Sequence, residues 1–249
     1  MPQEWDTTII CPIYTQGDKL ECRNYRGISL LNVTYKIFTD LLTRYIEPYI
    51  EEILGDYQCG FRKSRSTTDQ IFCLRMILER ACEYKVDIHQ LYTDYKQAYD
   101  TINRAELVEI MKGFGIPMKL VRLVKMILAN TKSKVKIQKK LSPGFETMIG
   151  LRKGDSLSAL LFNLFMEKII GSIRNNQGGK NFNRTRQCLA YADDVVILGR
   201  SERYIKGLLE EMAAITHQIG LQMNDTKTKY MINRHDGNKV KAIELMGKK

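Results

Sequence analysis

Histidine is scarce in this chain: three among 249 residues leave little for an imidazole-based metal site. The six cysteines (Cys11, Cys22, Cys59, Cys73, Cys82 and Cys188) are scattered, with no Cys-x-x-Cys pair. That spacing argues against a zinc site and a disulfide framework and fits reduced intracellular thiols. Prolines number five, and no low-complexity stretch or internal repeat marks a linker or a solenoid. No apolar run approaches the length of a bilayer span, so no membrane association is expected. The opening Met1-Pro2-Gln3-Glu4-Trp5-Asp6 lacks a basic stretch leading into an apolar one, so it does not read as a secretory signal. Acidic residues are missing between Ile110 and Phe145.

What is present is a large core and an excess of positive charge. With 44% hydrophobic residues the chain can build one large domain or two small ones. A net charge of +11 favours a polyanionic partner, nucleic acid ahead of an anionic membrane. The acid-free span carries Lys112, Lys119, Arg122, Lys125, Lys132, Lys134, Lys136, Lys139 and Lys140. Charge of one sign over so long a stretch predicts a surface that meets a nucleic-acid backbone without reading sequence. Lys132, Lys134, Lys136, Lys139 and Lys140 are its candidate contacts.

Periodicity predicts a strand over Thr7–Tyr14 and a helix over Lys36–Ile53. That helix turns Ile37, Leu41, Leu42, Tyr45 and Ile46 to one side, and Pro48 kinks or splits it. A second helix runs from Thr67 to Tyr84, capped by Ser66 or Thr67, with Ile71, Leu74, Leu78 and Ala81 as its buried stripe. His89–Tyr95 alternates as a strand. Arg104–Lys112 and Pro117–Ala129 read as helices, the latter with proline in its first turn. Lys134–Lys140 and Phe145–Ile149 suggest a hairpin around Ser142-Pro143-Gly144. Ser156–Ile170 is apolar enough to be buried on most sides. A helix over Glu202–Ile219 ends at Gly220, and Lys229–Asn233 and Val240–Met246 are candidate final strands. Helices first, then strands interleaved with helices, predict an α+β fold.

The chemistry centres on Tyr191-Ala192-Asp193-Asp194. Short β-branched runs flank it, so it reads as the tight turn of a hairpin over 188–198. Two adjacent carboxylates beside a buried hairpin are unfavourable unless a cation neutralises them, and a hard cation such as Mg²⁺ prefers carboxylate oxygens. A solvated Asp-Asp turn is the plain alternative. Asp94, closing the strand Leu91-Tyr92-Thr93-Asp94-Tyr95, is the best third carboxylate. Three acids holding two metals would suit nucleotidyl transfer, where one cation activates a 3′-hydroxyl and the other neutralises the leaving pyrophosphate.

Longer stretches carry a family resemblance. Leu91-Tyr92-Thr93-Asp94-Tyr95-Lys96-Gln97-Ala98-Tyr99-Asp100 resembles motif A of reverse transcriptases of the non-LTR (LINE-like) retrotransposon type. Gly150-Leu151-Arg152-Lys153-Gly154-Asp155-Ser156-Leu157-Ser158, followed by Leu161-Phe162-Asn163-Leu164, resembles their motif B. Tyr191–Asp194 is similar to motif C, and Gly220-Leu221-Gln222-Met223-Asn224 with Thr226-Lys227-Thr228-Lys229 to motif D. Asn24–Asn32 and Gln58–Asp69 resemble the fingers motifs. The six motifs stand in the family's order, and the resemblance runs from about Pro12 to Met231.

The resemblance implies a right-hand polymerase with fingers and a palm, a small antiparallel sheet backed by helices; the stretch after Met231 could supply one more strand but not the thumb the family places there, so a thumb is expected to be absent. Its expected divisions are 1–85 (fingers), 86–117 (palm with motif A), 118–149 (basic fingers-type insertion) and 150–249 (palm with motifs B, C and D). No endonuclease is expected before the fingers. It implies an RNA-directed DNA polymerase that adds dNTPs to a DNA primer on an RNA template, using two Mg²⁺ ions with Mn²⁺ as a substitute. A non-catalytic nucleic-acid-binding relic of the same fold is the alternative. Asp94, Asp193 and Asp194 would bind metal. Lys227 would be the general acid, and Tyr99 the steric gate against a ribose 2′-hydroxyl. Arg26, Arg62, Lys153 and Gly154 would meet nucleotide. Asp100 reads as a helix cap for the segment starting at Thr101. Lys153 stands where the family usually has Gln, and Ala159 where proline is common. Action on genomic DNA would require nuclear access.

Overall fold

The computed structural model describes residues 2–175 and 188–235. The chain folds as two compact units interleaved in sequence, Met1–Ile53 with Tyr99–Leu164, and Leu54–Ala98 with Phe165–Lys249. The cuts fall at other points than 85, 117 and 149.

In the first unit a one-turn helix α1 (Gln3–Asp6) leads into strand β1 (Thr7–Tyr14). A short 3₁₀ turn follows at Cys22–Asn24, then β2 (Tyr25–Leu30) and the long helix α2 (Val33–Ile53). The chain re-enters this unit after α3 (Thr67–Glu83) and β3 (Ile88–Thr93), at α4 (Ala98–Thr101), which straddles the boundary. It continues through α5 (Arg104–Gly113), α6 (Met118–Leu128), β4 (Lys132–Ile137), β5 (Lys140–Leu141) and β6 (Phe145–Glu146), and into α7 (Ser156–Asn175). The sheet has the order β2-β1-β4-β5, with β6 also on β4. β1 is antiparallel to β2, Ile9 opposite Leu30, and parallel to β4, Thr7 opposite Lys132. Leu42, Ile46, Ile50, Leu107, Met111, Val124 and Phe162 fill its core.

The second unit carries a four-stranded sheet. It is completed by β7 (Cys188–Tyr191), β8 (Asp194–Gly199), helix α8 (Glu202–Gln218) and β9 (Lys229–Asn233). The order is β7-β8-β3-β9, and every pairing is antiparallel. Ala81, Ile88, Leu189 and Leu198 form a core cluster, with Leu74, Ile77 and Leu78 of α3 packed on it. α8 buries Ile205, Leu208, Leu209 and Met212. Helix-backed antiparallel strands give the α+β class the element order predicts.

Several elements differ from expectation for identifiable reasons. α2 starts at Val33, because the Asn32 side chain accepts from the Thr34 N–H and hydroxyl. It runs unbroken through Pro48. It buries Tyr35, Thr39, Leu42, Ile46 and Ile50 and exposes Ile37, Leu41 and Tyr45. α3 has the full capping box between Ser66 and Asp69, but Ile71 is exposed and Ile77 takes its place in the core. Pro117 is the N-cap of α6 and not its first turn. The basic hairpin turns at Gln138 and Lys139, where Ile137 pairs with Lys140 and Gln138 has φ +54°. Ser142-Pro143-Gly144 instead lets β6 return to the start of β4. α7 is longer than expected: Ser156–Ile173 is apolar and long enough to cross a membrane, against the expectation from apolar runs, but most of it is buried inside the protein as a core helix would be. Val240–Met246 lies outside the described residues.

Candidate active site

The three aspartates belong to the second unit, and the sheet register brings them together. β3 and β8 pair antiparallel with Thr93 opposite Val195, so the next step along the register sets Asp94 alongside Asp194. β7 and β8 pair through Tyr191 and Asp194, which leaves Ala192 and Asp193 as a two-residue turn. Ala192 has φ +56°, a value glycine usually supplies in such turns. Asp193 thus sits on the turn and Asp194 opens β8.

Asp94 is held from the segment before β9. Its carbonyl accepts from the Asn224 N–H at 2.8 Å, and its Oδ2 accepts from Asn224 Nδ2 at 2.9 Å. The Lys227 ammonium lies 3.4 Å from the same Oδ2. Asn224 also accepts, through its carbonyl, from the Lys227 and Thr228 N–H groups at 3.1 and 2.9 Å. One asparagine therefore fixes both the carboxylate and the turn that presents Lys227. Pairing of Tyr95 with Met223 and a Lys96 N–H to Gln222 carbonyl bond of 2.9 Å tie the two segments together. Sequence reading missed Asn224 as a partner of Asp94, since nothing local links residues so far apart.

Partial burial pushes the Asp194 carboxyl above the usual aspartate range, the negative charges of Asp193 and Asp94 add to the rise, and Lys227 opposes it. Much of the Asp194 side chain still faces solvent, so water screens part of these charges. Excess negative charge from oxygen donors alone suits a hard divalent cation. Among the described residues no three His, Cys, Asp or Glu side chains converge tightly enough to enclose an ion by themselves. Mg²⁺ does not demand such a cage, because it commonly takes one or two carboxylates and completes its shell with water and phosphate oxygens. The donor set fits such an ion.

The remaining candidates divide between the units. Arg62 is half-buried in the second, where its Nη1 donates to the Gly55 and Gln58 carbonyls at 2.9 and 3.1 Å. In the first unit Arg26 is exposed on β2, opposite Ile13. Tyr99 stacks on Phe162, and the Tyr99 carbonyl accepts from Leu151 N–H at 2.8 Å. Gly154 has φ +152°, and a Cβ there would stand 2.6 Å from the Ser29 carbonyl oxygen, so only glycine fits. Lys153 pairs with Asp100 at 2.5 Å. Asp100 lies inside α4, and Asn103 caps α5 in its stead, accepting from Ala105 and Glu106 N–H. Asp155 caps α7 by accepting from Ser158 N–H at 2.6 Å. Lys132, Lys136, Lys139 and Lys140 are exposed on the basic hairpin, and Lys134 is half-buried.

The chain resembles known proteins in fold and in sequence. A telomerase from Candida tropicalis, in its apo form and truncated from its C-terminal domain, superposes with a TM-score of 0.69. It is 13% identical, and the match covers 92% of this chain and 51% of that one. At that identity the likeness is one of fold, the fingers and palm of a polymerase. In sequence, the probable RNA-directed DNA polymerase from transposon BS of Drosophila melanogaster is 25% identical over 236 residues, 91% of this chain and 26% of that protein. The retrovirus-related Pol polyprotein from a type-1 R2 retrotransposable element of Nasonia vitripennis is 23% identical over 206 residues, 82% of this chain and 20% of that protein. The chain thus spans about a quarter or less of the length of these curated relatives. Residues 16–248 match the family described as reverse transcriptase (RNA-dependent DNA polymerase). With the matched stretch reaching over nearly all of its length and the motif aspartates brought together at the ends of its central strands, the chain belongs to the reverse transcriptase family.

Proposed function

We propose that this chain is the RNA-directed DNA polymerase domain of a non-LTR retrotransposon, adding dNTPs to the 3′-hydroxyl of a primer on an RNA template. The observation that carries the reading is the register that aligns Asp94 with the Asp193-Asp194 turn. On this reading the unit with the aspartates serves as palm and the unit with the basic hairpin as fingers. Divalent metals are general to the family; here two Mg²⁺ ions, or Mn²⁺, would lower the pKa of the attacking hydroxyl and neutralise the leaving pyrophosphate.

The chain's own groups then have distinct tasks. Asp94, Asp193 and Asp194 supply the oxygen donors. Asn224 orients Asp94 and leaves its Oδ1 outside that hydrogen bond. Lys227 is already drawn toward Asp94 Oδ2 and is the proton donor for pyrophosphate. Tyr99 excludes a ribose 2′-hydroxyl. Arg26 and Arg62 meet phosphate oxygens and Lys153 meets the nucleotide, with Gly154 allowing close approach of nucleotide to backbone. The lysines of the basic hairpin hold the template–primer backbone.

The test is primer extension on an RNA template by the folded chain. Deoxynucleotide incorporation that requires a divalent cation and disappears in Asp193→Ala supports the reading. A folded chain that incorporates nothing across a range of Mg²⁺ and Mn²⁺ concentrations overturns it.

A further inference from the structure

Gln58 has no part in the chemistry above, yet it is 1% exposed and its side chain reaches Ala192 of the Ala192-Asp193 turn with both of its polar atoms. Its Oε1 accepts from the Ala192 N–H and from the Gly60 N–H, each at 2.9 Å. Its Nε2 donates to the Ala192 carbonyl at 3.2 Å. Both backbone polar groups of Ala192 are thus satisfied by one amide. Ala192 carries a Cβ in the left-handed region, a conformation that persists only where surrounding contacts over-determine it.

The stretch around Gln58 is built for this contact. It lies beside β7 like an added parallel strand, pairing Gln58 with Ala190. Ala190 N–H donates to the Tyr57 carbonyl at 2.8 Å and Cys59 N–H to the Ala190 carbonyl at 2.9 Å. A Cβ at Gly60 would stand 2.2 Å from the Ala192 nitrogen, so glycine alone permits the approach. Gln70 Nε2 adds bonds to the Tyr57 and Ala190 carbonyls at 2.6 and 3.2 Å. All of these residues belong to one compact unit.

We infer that Gln58 is a positioning residue for the aspartate pair: it locks Ala192 in the left-handed conformation and so aims the Asp193 and Asp194 carboxylates for cation binding. The inference rests on the polymerase reading for its purpose, though the clamp is a feature of the fold. Carboxylates that bind an ion are oriented by such outer contacts, and losing one weakens metal affinity by about 10–100-fold. Gln58→Met keeps the length of the side chain and removes all three hydrogen bonds.

The experiment measures Mn²⁺ affinity by titration of the wild-type chain and Gln58→Met, alongside thermal unfolding and amide exchange at Ala192. The expected result is a protected Ala192 amide in the wild type and Mn²⁺ affinity lowered about 10-fold or more in the variant, with the Mg²⁺ midpoint of primer extension raised in parallel. A merely structural role would lower the unfolding temperature and leave both metal readouts in place. Metal readouts within about twofold of wild type, well short of the loss expected for an orienting contact, overturn the inference, as does fast exchange of the Ala192 amide in the wild type. Should Gln58→Met not fold, Gln58→Asn, too short to span both amides, is judged by the same criteria. Primer extension by the wild type is scored separately: its absence overturns the polymerase reading, while the Mn²⁺ comparison decides on Gln58.

Discussion

The Tyr99 ring lies flat on Phe162, centroids 4.2 Å apart and planes 8° from parallel. Phe162 is fully buried in α7, so it gives Tyr99 a fixed backing. The Leu151 N–H bond to the Tyr99 carbonyl holds the backbone as well. A gate works only if its ring cannot swing aside. Tyr99→Ala is therefore expected to raise ribonucleotide incorporation relative to deoxynucleotide by about 10–100-fold, the scale on which a pocket can discriminate an added hydroxyl. Phe162→Ala is expected to move the ratio the same way and to cost about 3–5 kcal/mol of stability. Comparing kcat/KM for the two nucleotide types checks both, and an unchanged ratio in Tyr99→Ala removes the gate assignment.

Asp194 links the site to pH. Its carboxyl titrates above the ordinary aspartate range because of partial burial, then Asp193 and Asp94. A folded pKa raised in this way means that the native state holds the proton more tightly than the unfolded chain. The associated stability is complete below the unfolded pKa and is lost as pH rises through the folded one. At neutral pH the ionised side chain is thus a strain on the fold. Asp194→Asn is expected to unfold at a higher temperature than wild type at pH 7 without divalent cation, and the gain should vanish below about pH 4, where aspartates protonate. Mg²⁺ should raise the wild-type unfolding temperature more than that of the variant. A variant less stable than wild type at pH 7 would contradict this.

Arg104 braces the first unit. Its guanidinium donates to the carbonyls of Gly150, Leu128 and Thr147 at 2.8, 2.8 and 2.7 Å and to Thr131 Oγ1 at 2.6 Å. Burial, and then the charge of Arg152, push its pKa down to about 10, so it stays charged at neutral pH. It ties the end of α6 to the loop before α7. Three of the acceptors meet Nη1 and the fourth, the Gly150 carbonyl, meets Nε, so a lysine with its three donors on one nitrogen cannot reach all four. Arg104→Lys and Arg104→Met are both expected to lose about 1.5–3 kcal/mol, the scale for hydrogen bonds made by a charged group, measured by urea unfolding. A loss below about 1 kcal/mol, the scale of a single ordinary hydrogen bond, would show that the acceptors find water instead.

What could be read from the sequence was local. The cap of α3 at Ser66, the strand closed by Asp94 and the hairpin around Asp193 depend on residues a few positions apart. The fold class followed from the order of such elements. The buried face of α2 was not legible, because Ile37, Leu41 and Tyr45 form one apolar stripe and Tyr35, Leu42, Ile46 and Ile50 another. Periodicity cannot choose between two such stripes; packing does. The basic hairpin turned at Gln138-Lys139 because ladder register outweighed the Pro-Gly turn signal. At the site, the acids stood out by type and spacing. Their supports, Asn224 on Asp94 and Gln58 on Ala192, are side-chain bonds between distant segments and leave no local pattern.

The basic hairpin gives a prediction with a built-in control. Lys132, Lys134 and Lys136 alternate along β4 and so share a face, while Lys139 lies at the turn and Lys140 opens β5 opposite Ile137. Lys134 is half-buried, and a Cβ added at Gly144 would stand 3.6 Å from its Cε, so its stem lies along the loop and its reversal would disturb the fold. Lys136, Lys139 and Lys140 are exposed and can be reversed without that cost. Each lysine that neutralises a phosphate releases counterions, and its loss should flatten the dependence of log K on log salt by about 0.9 for a duplex. Lys136→Glu, Lys139→Glu and Lys140→Glu combined are expected to weaken primer–template binding on every sequence alike and to flatten that slope. A drop in affinity confined to some sequences would mean base contacts, and an unchanged slope would place the nucleic acid on another face.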